Sequence, residues 1–109
     1  MRVLAAAVVV VSLMVCAVAA GAAAAAAGAS HTVTIENMQF NPAQLTVHRG
    51  DRIVWVNKDL FPHTATADKV FDSGSIAADA SWSYVANQSG EYAYHCTFHP
   101  TMKGRITVQ

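Results

Sequence analysis

Between Tyr94 and Gly104 the sequence reads YHCTFHPTMKG, which sets Cys96, His99 and Met102 at the spacing C-x2-H-x2-M. A thiolate and an imidazole bind copper, zinc or iron well, and a thioether adds a soft, weak donor. Two histidines and one cysteine in a plane, with a distant methionine above, make the donor set of a mononuclear copper centre that passes electrons. The second histidine has to come from elsewhere in the chain. His63, in FPHT, follows a proline turn where its ring can be held rigidly. The other histidines fit less well. His95 adjoins Cys96, so on a strand it points to the opposite face. His48 precedes a turn signal and is expected to face solvent, and His31 is expected to be mobile near the start of the folded part.

Two rivals use the same residues. Structural zinc takes four strong ligands, usually including two or more cysteines, and one cysteine with two histidines and a methionine is a poor match. A catalytic Cys/His pair is not excluded by chain order, but it leaves the second histidine and the methionine without a role.

These residues must be positioned by a small domain. Val3 to Ala27 contains no charge and Ser12 as its one polar residue, after the basic start Met1-Arg2. That layout is a secretory signal ending in small residues, and a cut after Ala29 is expected, giving a leader over 1–29 and a domain over 30–109. An uncleaved membrane anchor is the alternative, since the apolar run is long enough to span a bilayer. A lipoprotein acylated at Cys16 is disfavoured by the bulk of Val15 before it. Removing the leader leaves Cys96 as the one cysteine, and an unpaired thiol is unusual in an exported protein. The domain then has six Lys/Arg against seven Asp/Glu and no basic run, which excludes nucleic acid as a partner.

The domain reads as short strands. HTVTIE alternates Val33 and Ile35 with polar residues, LTVH and RIVWVN are rich in β-branched residues, and HTATA resumes after Pro62. SWSYVA, EYAYHC and GRITVQ follow, with NPAQ, RGD and NQSG as breaks. No sustained helical period is present, and Asp68 to Ala80 reads as an irregular connection. About seven or eight strands in an all-β sandwich or barrel is the expected fold.

FPHT, then YHCTFHPTMKG, with GDRIVWVN upstream, resembles the cupredoxins, and within them the amicyanin and plastocyanin-like group. The resemblance covers Thr32 to Gln109. It implies a Greek-key β-sandwich, usually of eight strands, so that Asp68 to Ala80 either hides a strand or one is missing. It also implies one type 1 copper bound by His63, Cys96, His99 and Met102. Asn57 would hydrogen-bond across to Thr97 beside the ligand cysteine, stiffening the site. Phe98 stands where amicyanin-like loops commonly have proline, which leaves an extra N–H near the sulfur.

The resulting expectation is a monomeric, exported one-electron shuttle, periplasmic or extracellular, with no catalytic base and no open ligand position. Electrons would leave at the edge of His99, ringed by Phe61, Pro62, Phe98 and Pro100, a patch suited to brief docking with a redox donor and acceptor. A copper carrier is the alternative, although Met38 and Met102 are too few for a methionine-rich site. An oxidase domain would show H-C-H and H-x-H motifs, which the chain lacks. An N-terminal copper brace at His31 would leave Cys96 unexplained.

Overall fold

The computed structural model describes residues 3–7, 9–15 and 28–109. Most of the small-residue end of the expected leader, together with Cys16, lies outside the described residues. Among those described, no helix is long and apolar enough to cross a membrane.

The domain is a sandwich of two sheets. One has the order β2-β1-β4-β7 and the other β3-β9-β8-β5-β6. The strands are β1 (Ser30–Glu36), β2 (Gln39–Asn41), β3 (Gln44–Val47), β4 (Arg52–Asn57), β5 (Thr66–Ala67), β6 (Phe71–Asp72), β7 (Ser81–Val85), β8 (Gly90–His95) and β9 (Lys103–Val108). β1 runs parallel to β4 and β3 parallel to β9, while the other pairs are antiparallel.

The core follows from alternation. Val33 and Ile35 of β1, Ile53 and Trp55 of β4, and Ile106 and Val108 of β9 are all buried, each pair two residues apart on one face. Trp55 is the hub: its ring lies 5.5 Å from Tyr94 edge-on and 5.6 Å from Trp82, its register partner on β7. Such offset and edge contacts are the favoured aromatic geometries. Burial pushes the Tyr94 phenol up to about 12, while the facing indole of Trp55 pulls weakly the other way. Gly104 is opposite Tyr94 in the β8–β9 ladder, and a Cβ there would fall 2.2 Å from Cζ of that ring. Only glycine lets the ring lie over β9.

Among the described residues, nine strands replace the expected seven or eight. β5 and β6 have two residues each and β2 has three, too short for a periodic pattern to register. The Asp68–Ala80 connection does hide a strand, β6, as well as a bridge between Ile76 and His63. The strand expected over HTATA is confined to Thr66–Ala67. The first reversal comes ahead of NPAQ, at Asn37 and Met38, whose φ angles are 54° and 59°. Two left-handed central residues are what a tight hairpin turn requires, and asparagine tolerates the first. His31 is also different from expectation. It is paired with Ile53 in β1, and its Nε2 lies 2.9 Å from the buried carboxylate of Asp51. Pairing runs back to Ala29, which accepts from the Arg52 N–H and donates to Asp51 Oδ1, both at 2.9 Å. His48 is exposed, as expected.

Candidate metal centre

β8 ends at His95 and β9 begins at Lys103, and these two are register partners. Residues 96–102 therefore close a loop at the end of the hairpin. Three backbone bonds curl it: Cys96 N–H to Met102 O at 3.1 Å, His99 N–H to Cys96 O at 3.2 Å, and Met102 N–H to His99 O at 2.9 Å. The curl turns the three donor residues inward. Cys96 and Met102 are buried and His99 half-buried.

His63 arrives from the segment between β4 and β5. It exchanges two backbone bonds with Ile76, at 3.1 and 2.7 Å, and the pairing of Thr66 with His95 brings this segment against the end of β8. Nδ1 of His63 then lies 3.7 Å from Cys96 Sγ, and Nδ1 of His99 lies 3.8 Å from it. The three ligand atoms fall within 4.8 Å of one another. Donors about 2 Å from a common ion stand roughly 3 to 4 Å apart, so the spacing fits one metal. With one cysteine sulfur and two imidazoles together, and the buried Met102 on the same loop, the chemistry fits copper better than zinc. His95, half-buried on the other side of the strand, takes no part, as alternation predicts.

Around the sulfur the pattern differs from the expected one. Asn57 does not bond to Thr97. Its Nδ2 donates to Phe61 O at 2.7 Å and Ile76 O at 3.0 Å, and its Oδ1 accepts the Asp59 N–H at 2.9 Å. Buried at the end of β4, Asn57 pins the 57–63 loop that carries His63. Thr64 makes the link to the cysteine loop instead. Its N–H reaches Cys96 Sγ at 3.4 Å, and its Oγ1 accepts the Thr97 N–H at 2.8 Å. That hydroxyl also lies 3.0 Å from Thr66 Oγ1, which donates to Asp72. Among the described residues the backbone hydrogen bond to the sulfur thus comes from Thr64, and none comes from Phe98.

Asp59 was not singled out from the sequence. Its Oδ2 lies 2.8 Å from Nε2 of His63 and accepts the Met38 N–H at 3.0 Å, and its Oδ1 accepts the Asn37 N–H at 2.7 Å. Burial opposes its ionisation, but the Met38 N–H, the His63 ring and the Asn37 N–H outweigh this and hold the carboxyl below its ordinary value. A carboxylate four residues ahead of a candidate ligand histidine was the available signal.

Phe61 and Phe98 are 61% and 51% exposed, and Pro62 and Pro100 are exposed with them. Leu60, 89% exposed, extends this apolar surface and was also missed. An open groove of about 700 Å³ lies along β8 and β9, lined by Tyr92, His95, Pro100 and Lys103 among others, and it includes none of the four donor residues.

Comparison with known proteins agrees with this geometry. The chain belongs to the family of cupredoxin-like domains, whose family model matches residues 6–108. It is 30% identical to the amicyanin of Paracoccus versutus over 71% of this chain and 63% of that protein. It is 31% identical to amicyanin-alpha of Methylorubrum extorquens over 73% of this chain and 72% of that one. The chain thus spans a little under two thirds of the first of these relatives. Among solved structures, the Cu(I) form of an amicyanin variant superposes with a TM-score of 0.71 at 28% identity, covering 75% of this chain and 83% of the other.

Proposed function

We propose that this protein is an exported carrier of single electrons built on one type 1 copper ion held by His63, Cys96, His99 and Met102. The observation that carries the reading is the convergence of the two Nδ1 atoms on Cys96 Sγ, at 3.7 and 3.8 Å. Bound there, copper supplies a one-electron couple between its cupric and cuprous states. The protein's part is to hold the donors still and dry. His63 is fully buried between backbone bonds from Ile76 and the Asp59 carboxylate, and the sulfur is gripped by the Thr64 N–H. A preset geometry leaves little to reorganise when charge changes.

His99 is the ligand nearest to solvent, and it is flanked by exposed Phe98 and Pro100. With Leu60, Phe61 and Pro62 these form an apolar rim on which a redox donor or acceptor protein docks briefly, since transient electron-transfer interfaces are small. The protein acts as a monomer, without catalysis of its own, in the periplasm or outside the cell after removal of residues 1–29. The relatives named amicyanin support the reading.

The test is a visible spectrum of the oxidised, copper-loaded domain. An intense blue thiolate band is expected, absent in Cys96→Ala, and a colourless loaded protein rules the reading out. A copper carrier is the alternative reading. It predicts surrender of the metal to a chelator on reduction, whereas an electron carrier is reduced and reoxidised repeatedly with its copper retained.

A further inference from the structure

We infer that Asp59 is a positioning residue of the metal centre: its carboxylate holds His63 in the Nε2–H tautomer, with Nδ1 bare toward Cys96, and ties that ring to the β1–β2 turn. An ionised carboxylate only accepts hydrogen bonds. At 2.8 Å from Asp59 Oδ2, the His63 Nε2 must therefore carry the proton. In a neutral imidazole the other nitrogen is then the lone-pair donor, and that nitrogen is the one facing Sγ. The opposite tautomer would set a bare Nε2 against a carboxylate in a site where the His63 side chain is fully buried and that of Asp59 is 12% exposed.

The same carboxylate has a second task. Asn37 and Met38 are consecutive left-handed residues, and their N–H groups point together at Oδ1 and Oδ2. Successive N–H groups in such a conformation form a concave anion seat, which Asp59 fills. Its own N–H is held by Asn57 Oδ1. The ring of one ligand is thus fastened, through one side chain, to the β1–β2 hairpin and to the end of β4, neighbours in one sheet. A group that orients a ligand histidine in this way is worth about 10- to 100-fold in metal affinity.

The copper arm of the test rests on the function proposed above, and the tautomer arm does not. Nitrogen NMR of the metal-free full chain reads the His63 tautomer directly. The parent is expected to show Nε2–H with a bare Nδ1, Asp59→Asn to keep this through its side-chain oxygen, and Asp59→Ala to show a mixture. In the copper-loaded proteins, competition with a cuprous chelator is expected to give a loss of about 10- to 100-fold for Asp59→Ala, and less for Asp59→Asn. A purely structural Asp59 would lower the melting temperature while leaving tautomer and affinity alone. An Nδ1–H tautomer in the parent overturns the inference, as does an Asp59→Ala affinity equal to the parent's. A parent that takes up no copper defeats the functional reading, and the tautomer then decides this one alone.

Discussion

The N–H of Thr64 points at Cys96 Sγ across 3.4 Å, and the Thr64 hydroxyl takes the N–H of Thr97, the next residue along, at 2.8 Å. One residue after a ligand histidine therefore braces both the sulfur and the loop that carries it. Thr64→Val keeps the first bond, which is made by backbone, and removes the second. The Thr97 N–H then loses its partner in a partly buried place, a loss of about 1–3 kcal/mol. Denaturant melts of the metal-free domain are expected to show this loss, while the blue band of the loaded protein keeps its position. A band that shifts in Thr64→Val would mean the hydroxyl acts on the sulfur itself.

Gly104 and Tyr94 are a second coupled pair. The ring passes so close that a Cβ on residue 104 would sit 2.4 Å from the phenolic oxygen. Tyr94 cannot step aside without pressing on its neighbours, because Phe40 lies 4.7 Å away on one side and Trp55 5.5 Å away on another. Gly104→Ala is expected to cost about 1–3 kcal/mol through overpacking. It should also shift the Trp55 fluorescence, since displacement of Tyr94 is passed on to the indole. An unchanged melting temperature would show that β9 yields in place of the ring.

The third expectation concerns pH. Asp51 is held below its ordinary value, first by the His48 N–H, then by the side chain of His31 and the N–H of Ala29, with burial opposing. A carboxyl with a depressed folded pKa contributes stability that is present above its unfolded value near 3.9 and lost as pH falls through the folded one. Asp59 acts with the same sign. The domain should therefore lose stability as pH drops below about 4, and Asp51→Asn should flatten part of that slope while lowering stability at neutral pH. Melting temperatures of both proteins from pH 7 down to 3 check this. Parallel curves would show that Asp51 contributes nothing to acid unfolding.

Much of the site was legible because metal chemistry is local in its demands. Cys96, His99 and Met102 lie within one turn of loop, and donor type alone marks them. His63 was found by its proline and its place before a strand. The surroundings of the sulfur were harder to read. Asn57 was assigned to Thr97 by resemblance, yet the chain uses Thr64 there and spends all the bonding of Asn57 on Phe61, Ile76 and Asp59. A hydroxyl and an amide can exchange such tasks without any change in hydrophobic pattern, so no periodicity records which has done so. β5 and β6 were illegible for a related reason: two-residue strands exist only where the fold offers them an edge, β5 against β8 and β6 in turn against β5.

By itself, then, the sequence determined the donor set, the all-β class and the inward faces of the long strands, since donor softness and two-residue alternation are properties of the chain read in order. The tertiary structure alone decided which nitrogen of His63 faces the sulfur, which N–H reaches it, and that Asp59 joins the ligand to the β1–β2 turn. Those contacts run between residues 20 or more positions apart, where only the lateral pairing of β1 with β4 and of β5 with β8 brings donor and acceptor within reach.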